Sequence, residues 1–108
     1  MARHPEPRNA EEDITRVRLP KNGEVIGFVS SKIGGRHFKV FCSDGKERIC
    51  RIPGSKKRSM WINQDDFVIV KKWEVQGDER GDIIWKYRKA QVSWLKNNGH
   101  LDTLKEFL

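Results

Sequence analysis

Between residues 24 and 87, five short runs of β-branched and aromatic residues recur at roughly ten-residue spacing, each closed by turn residues. The runs are 24–31 (EVIGFVSS), 36–42 (RHFKVFC), 46–52 (KERICRI), 66–75 (DFVIVKKWEV) and 80–87 (RGDIIWKY). Ile33-Gly34-Gly35 reads as a turn. Ser43-Asp44-Gly45 carries the Asp-Gly hairpin signal, Pro53-Gly54 breaks the third run, and residues 76–79 form a polar turn. Strands this short and this regularly punctuated argue for a β-barrel or sandwich. Within the second run Phe38, Val40 and Cys42 share one face, while His37, Lys39 and Phe41 share the other. In the third, Cys50 and Ile52 lie on one face and Ile49 and Arg51 on the other. Gly27 inside the first run marks a bend or a close backbone approach. The polar stretch 55–65 (SKKRSMWINQD), with room for a short helical turn, separates the third run from the fourth. That pause fits an all-β, five-stranded oligonucleotide-binding (OB) Greek-key barrel, with an SH3-like barrel as the competitor that periodicity does not separate.

After Tyr87 the period changes. Residues 89–97 (KAQVSWLKN) read as a helix stopped by Asn97-Asn98-Gly99. Leu101, Leu104 and Leu108 then recur at helical spacing with Asp102 as a cap. A segment so short is marginal alone and needs to dock on the barrel. At the other end, residues 1–13 are polar, hold Pro5 and Pro7 and show no periodicity, so a disordered tail is expected. The expected division is a tail over 1–13, the barrel with a lead-in segment over 14–88, and a helical extension over 89–108.

The chain has 108 residues, the size of one domain, and 34% of them are charged. No run approaches the roughly 18 apolar residues of a membrane-spanning helix, and no apolar stretch behind Met1 suggests a secretory signal. A cytoplasmic, monomeric protein is expected. The formal net charge is +7, and its distribution is uneven. Residues 1–31 carry five basic and five acidic side chains, and residues 60–108 carry eight of each. Residues 32–59 carry nine basic side chains against Asp44 and Glu47, so the whole excess lies there. A local field of this kind attracts polyanions.

Little in the chain suggests catalysis. Cys42 and Cys50 form no C-x-x-C pair, and His4, His37 and His100 are scattered, so no metal-ligand spacing emerges. Both cysteines read as small core residues in a reducing compartment, with a disulfide across a hairpin as the minor alternative. There is no Gly-rich phosphate loop. The carboxylate groups fall in the tail (Glu11-Glu12-Asp13) or where turn chemistry explains them (Asp65-Asp66). The reading is a non-enzyme with no cofactor, no metal and no small-molecule substrate.

Binding is better supplied. Arg36, His37, Lys39, Arg48, Arg51, Lys56, Lys57 and Arg58 fall on the second strand, the third strand and the linker after it. In the oligonucleotide-binding fold a ligand crosses strands two and three. Phe41 and Ile49 share the outward parity of Lys39 and Arg51. Rings and guanidinium planes among cations suit RNA, because cations neutralise phosphate while flat groups stack on bases. Phe41 either stacks on a base or packs against the C-terminal helix. Trp61, directly after the basic run, either anchors its segment or faces RNA. Trp73, Trp85 and Trp94 are assigned to packing.

The stretch Phe41-Cys42-Ser43-Asp44-Gly45-Lys46-Glu47-Arg48-Ile49-Cys50-Arg51-Ile52, followed by Gly54-Ser55-Lys56-Lys57-Arg58 and Trp61-Ile62-Asn63, resembles translation initiation factor 1A. Asp82-Ile83-Ile84-Trp85-Lys86-Tyr87 is similar to that family's last barrel strand, and the likeness runs from about Leu19 to Leu95. A weaker likeness extends to the bacterial factor of the same role. The resemblance implies a barrel that sits on the small ribosomal subunit at the A site and contacts decoding-centre rRNA. It would block premature tRNA entry and help other initiation factors place initiator tRNA on the start codon. By motif match it makes Arg48, Arg51, Lys56, Lys57, Arg58 and Trp61 RNA-contacting residues. Arg36, His37 and Lys39 rest on the strand-face argument alone. The mixed N-terminal tail and the lack of a long acidic C-terminal tail resemble the archaeal rather than the eukaryotic members. Leu104, Phe107 and Leu108 either dock on the barrel or supply a contact in place of that tail.

Two other functions compete. A general single-stranded RNA chaperone of the cold-shock or S1 kind would want aromatics on adjacent strand faces. Here Phe38 and Phe41 face opposite ways, and the third strand has none. A protein–protein adaptor barrel gives the confined charge no role.

Overall fold

The computed structural model describes residues 17–34, 36–54 and 61–107. Five strands, β1 (Glu24–Gly34), β2 (His37–Cys42), β3 (Glu47–Arg51), β4 (Phe67–Lys72) and β5 (Arg80–Lys86), close into a barrel in the order β1-β2-β3-β5-β4. Every pairing is antiparallel except β3 with β5. This is the five-stranded barrel the strand spacing suggested. The expected tail 1–13, the first residues of the lead-in and the basic run 56–58 lie outside the described residues.

Strand β1 is longer than its apolar run. Its first half pairs with β4 and its second half with β2, and Gly27 and Phe28 pair on both sides. The expected turn at residues 33–35 begins later, because Lys32 and Gly34 still pair with Phe38 and His37. Gly34 takes a φ of 124°, which glycine tolerates. Strand β4 is shorter than its run and ends at Lys72, so Trp73 to Val75 leave the sheet. Gly27 is a close approach: a Cβ there would collide with Val40 Cγ1 across the barrel interior.

Two apolar clusters explain why β1 and β4 read as continuous rather than alternating runs. Val29, Phe38, Val40, Cys42, Cys50, Ile62, Val68, Val70 and Ile83 fill the barrel. Ile26, Phe28, Phe67, Ile69 and Tyr87 face outward, under Leu95, Leu101 and Leu104 of the C-terminal segments. Residues 26–29 and 67–70 are therefore buried on both faces. Each buried leucine contributes about 1.5–3 kcal/mol relative to exposure.

Helix α1 (Lys89–Asn97) begins where the Arg88 backbone N–H donates to Gln91 Oε1 at 2.8 Å. It stops at Asn98, and Gly99 turns the chain out with a φ of 79°. A 3-10 segment, Asp102–Phe107, follows, with Asp102 as its first residue rather than its cap. Thr103 Oγ1 donates to the Ser43 carbonyl at 2.7 Å, tying this segment to the β2–β3 turn. At the other end the Tyr87 hydroxyl donates to the Arg18 carbonyl, holding the lead-in to the barrel, and burial pushes its phenol above its ordinary range.

Both cysteines are free and buried. The register sets Cys50 opposite Phe38 rather than Cys42, so the hairpin does not align them for a disulfide. Burial pushes both thiols up, away from the reactive thiolate.

Candidate RNA interface

The C-terminal segments cover the outer face of β1 and β4 and reach Phe41 at the end of β2, leaving the rest of the outer face of β2 and β3 open. On that open face the strand register builds two rows of side chains. His37 pairs with Arg51, Arg51 with Asp82, and Asp82 with Lys71, a row across β2, β3, β5 and β4. Lys39 pairs with Ile49, and Ile49 with Arg80. Between the rows Gly81 turns inward, where a Cβ would meet Val70 and Cys50, so its neighbours Arg80 and Asp82 face out.

Arg51 sits at the centre. Its Nε donates to Asp82 Oδ1 at 3.1 Å, and its guanidinium lies over the Trp73 ring, 4.9 Å from the centroid. Trp73 Nε1 donates to the same carboxylate oxygen at 3.0 Å. One carboxylate thus fixes two flat groups against each other. The Arg51 side chain is 52% exposed, so its pairing with Asp82 is a screened surface bridge that orients more than it stabilises. Beside this pair runs an open groove of about 370 Å³, lined by Lys71, Lys72, Glu74, Val75 and the three residues just named. Asp82 is engaged by Arg51, and Lys71 and Lys72 stand against Glu74, so the lining is cationic by one charge. Cations beside a stacked aromatic offer phosphate neutralisation and a ring platform together.

Arg36 and His37 are exposed, and Lys39 is half-exposed, 4.0 Å from Glu47. Trp61 is 77% exposed, so its ring does not anchor the segment. Its carbonyl accepts from Lys86 Nζ at 2.9 Å, and Lys86 also pairs with Asp66 at 3.3 Å. Lys56, Lys57 and Arg58 lie outside the described residues. Phe41 is half-buried and stacks on Phe107, with 5.1 Å between centroids, while Phe107 stacks on Phe28 at 4.5 Å. Of its two readings, packing against the C-terminal segment is the one the structure displays.

Two expectations need correcting. Arg48 is fully buried and offers no surface to RNA. Its Nη1 and Nη2 donate to Asp44 at 2.9 and 2.8 Å, and its Nε donates to the Gly77 carbonyl. The signal was present, since Arg48 shares the parity of Cys50 and Ile52, which is the inner face. Trp73 is not core packing but half-exposed at the groove, because β4 ends before it. Lys71 and Arg80 were missed altogether. They join the face only through the β3–β5 and β4–β5 pairings, which no local pattern encodes.

Fold and face together define an oligonucleotide-binding barrel with one side capped by helices and one cationic side open. Comparison with known proteins narrows this class. Residues 14–107 match the family model described as translation initiation factor 1A / IF-1. A translation initiation factor 1A from Methanococcus maripaludis is 45% identical over 100 residues, covering 91% of this chain and 97% of that one. Another from Archaeoglobus fulgidus is 48% identical over 95 residues, covering 86% and 97%. A solution structure of the bacterial translation initiation factor IF-1 from the Wolbachia endosymbiont of Brugia malayi is similar with a TM-score of 0.50 at 28% identity. It covers 61% of this chain and 78% of that one. The chain belongs to the translation initiation factor 1A / IF-1 family, with archaeal relatives among its matches, and the family is not an enzymatic one. Among the described residues no helix is long and apolar enough to cross a membrane.

Proposed function

We propose that this protein binds the small ribosomal subunit at the A site and contacts decoding-centre rRNA through the open outer face of β2 and β3. From there it blocks premature tRNA entry and promotes placement of initiator tRNA at the start codon, together with other initiation factors. It acts by occupancy, as a cytoplasmic monomer, without cofactor or chemistry.

One observation carries the reading: the stacked Arg51–Trp73 pair at the edge of a lysine-lined groove, on the side the C-terminal segments leave uncovered. Phosphate contacts from Arg36, Lys39, Lys71 and Arg80 position the barrel, while Arg51, Trp73 and the exposed Trp61 offer flat surfaces to bases. The basic run Lys56, Lys57 and Arg58 adds charge that the family motif assigns to the same role.

The test is a protection footprint of small-subunit rRNA with the full-length protein. Protection confined to the decoding centre is expected. Diffuse protection would instead indicate a general single-stranded RNA chaperone, and no protection would return the barrel to the protein-adaptor class.

A further inference from the structure

We propose that Arg48 is a positioning residue for the RNA interface: without touching the ligand, it sets the place of Trp73 and, through Trp73, of Arg51. The proposal rests on the reading of the open face as RNA-binding.

Arg48 and Arg51 lie on the same strand but on opposite faces. Arg48 points into the barrel and is fully enclosed. Its guanidinium bridges two loops. Both terminal nitrogens grip the Asp44 carboxylate in the β2–β3 turn, and Nε reaches the Gly77 carbonyl in the β4–β5 connection. Asp78 adds a second carboxylate, 3.9 Å from Nη2.

Gly77 in turn packs directly on Trp73, where a Cβ would collide with the Trp73 carbonyl oxygen. Gln76, immediately before it, holds a φ of 64°, a left-handed conformation that non-glycine residues keep only when their surroundings impose it. The Gln76 carbonyl accepts from the backbone N–H groups of both Glu79 and Arg80, at 3.0 and 2.8 Å. The Trp73 N–H donates to the Arg80 carbonyl at 3.3 Å. One hydrogen bond and one close backbone contact therefore separate the buried guanidinium from Trp73. The Trp73 ring carries Arg51 on its face.

Stability alone does not call for this residue. A well-packed apolar side chain of similar volume often serves as well as a buried ion pair. An apolar residue would fill the space yet leave the Gly77 carbonyl without its donor and the loop without its directional tie. The planar fork supplies direction, which a lysine ammonium cannot reproduce.

The experiment compares wild type, Arg48→Met and Arg48→Lys, all well below their melting temperatures. It reads the Trp73 indole N–H resonance by NMR and affinity for small ribosomal subunits across salt concentrations. Both variants should shift or broaden the Trp73 signal and weaken binding about tenfold, with the salt slope unchanged because no phosphate contact is lost. Should one variant fail to fold, the other carries the test. A slope lowered by about one unit would make Arg48 a phosphate contact and overturn the proposal. A lowered melting temperature with wild-type Trp73 signal and affinity would make it structural only, and would overturn it as well. Arg51→Ala serves as the control. If Arg51→Ala leaves affinity untouched, the RNA reading of the face fails, while the Trp73 resonance still decides whether Arg48 positions that ring.

Discussion

Asp44 shows how one side chain on a turn reports on a charge in the core. The hydrogen bonds from Arg48 hold its carboxyl below the usual carboxylate range, against a smaller opposing effect of burial. A group whose pKa is depressed by folding stabilises the native state above its unfolded pKa, and that contribution is lost as pH falls through the folded value. Asp44→Asn should therefore cost about 1–3 kcal/mol near neutral pH, where the charged pair is intact. The gap between variant and wild type should begin to narrow below about pH 4, where the carboxyl of the unfolded chain takes up its proton, and close only below the depressed native value. Denaturant melts at both ends of that range check this, and a gap that stays constant with pH would contradict it. The sequence carried part of this scale. Arg48 shares the parity of Cys50, yet the family motif and the charge argument both counted it as surface. Side-chain parity is local and legible. What a buried arginine pairs with is not, because Gly77 lies 29 residues away.

Among the elements, β1 is the one on which the barrel turns. It is the longest of the described strands, its two halves bind different neighbours and overlap at the Gly27–Phe28 step, and Gly27 keeps the interior clear for Val40. Gly27→Ala should push a methyl group into Val40 and cost about 1–3 kcal/mol by overpacking. The melting temperature should drop by about 5–15 °C. A thermal melt within a degree or two of wild type would mean that the wall yields at no cost. Helix α1 has the bounds that its composition and its Asn-Asn-Gly stop predict. The strand ends were less legible, for a physical reason. Ile33 and Gly34 look like a turn, but β2 offers Gly34 a partner in His37, and Ile33 bulges between paired residues. Val75 looks like a strand residue, but nothing beyond Lys72 is left to pair with it.

Across the whole molecule the net charge of +7 takes on a different distribution from the one counted along the chain. Folding removes Arg48 from the surface and brings Lys71 and Arg80 into line with Arg51 and Lys39. The cationic face is thus a product of register, and the concentration of charge in residues 32–59 described only part of it. Affinity for small subunits should fall at least about tenfold between about 50 and 200 mM salt. Replacing Lys56 or Lys57 with alanine should lower the salt slope by about one unit each. Binding that stays flat over this range would overturn the phosphate-contact account.

The β3–β5 pairing gives the barrel a seam with its own kinetic character. It is the sole parallel ladder among the described strands, three residue pairs long, and joins segments about thirty residues apart, such as Arg51 and Asp82. Hairpin-like contacts with low loop-closure cost form early, and long-range parallel pairing forms late. The seam costs more loop-closure entropy than the β1–β2 and β2–β3 hairpins, and it is the shortest ladder of the barrel. Arg48 and Arg51 each reach across that line, one from inside and one from outside. A polyanion lying over the outer rows would suture this short seam.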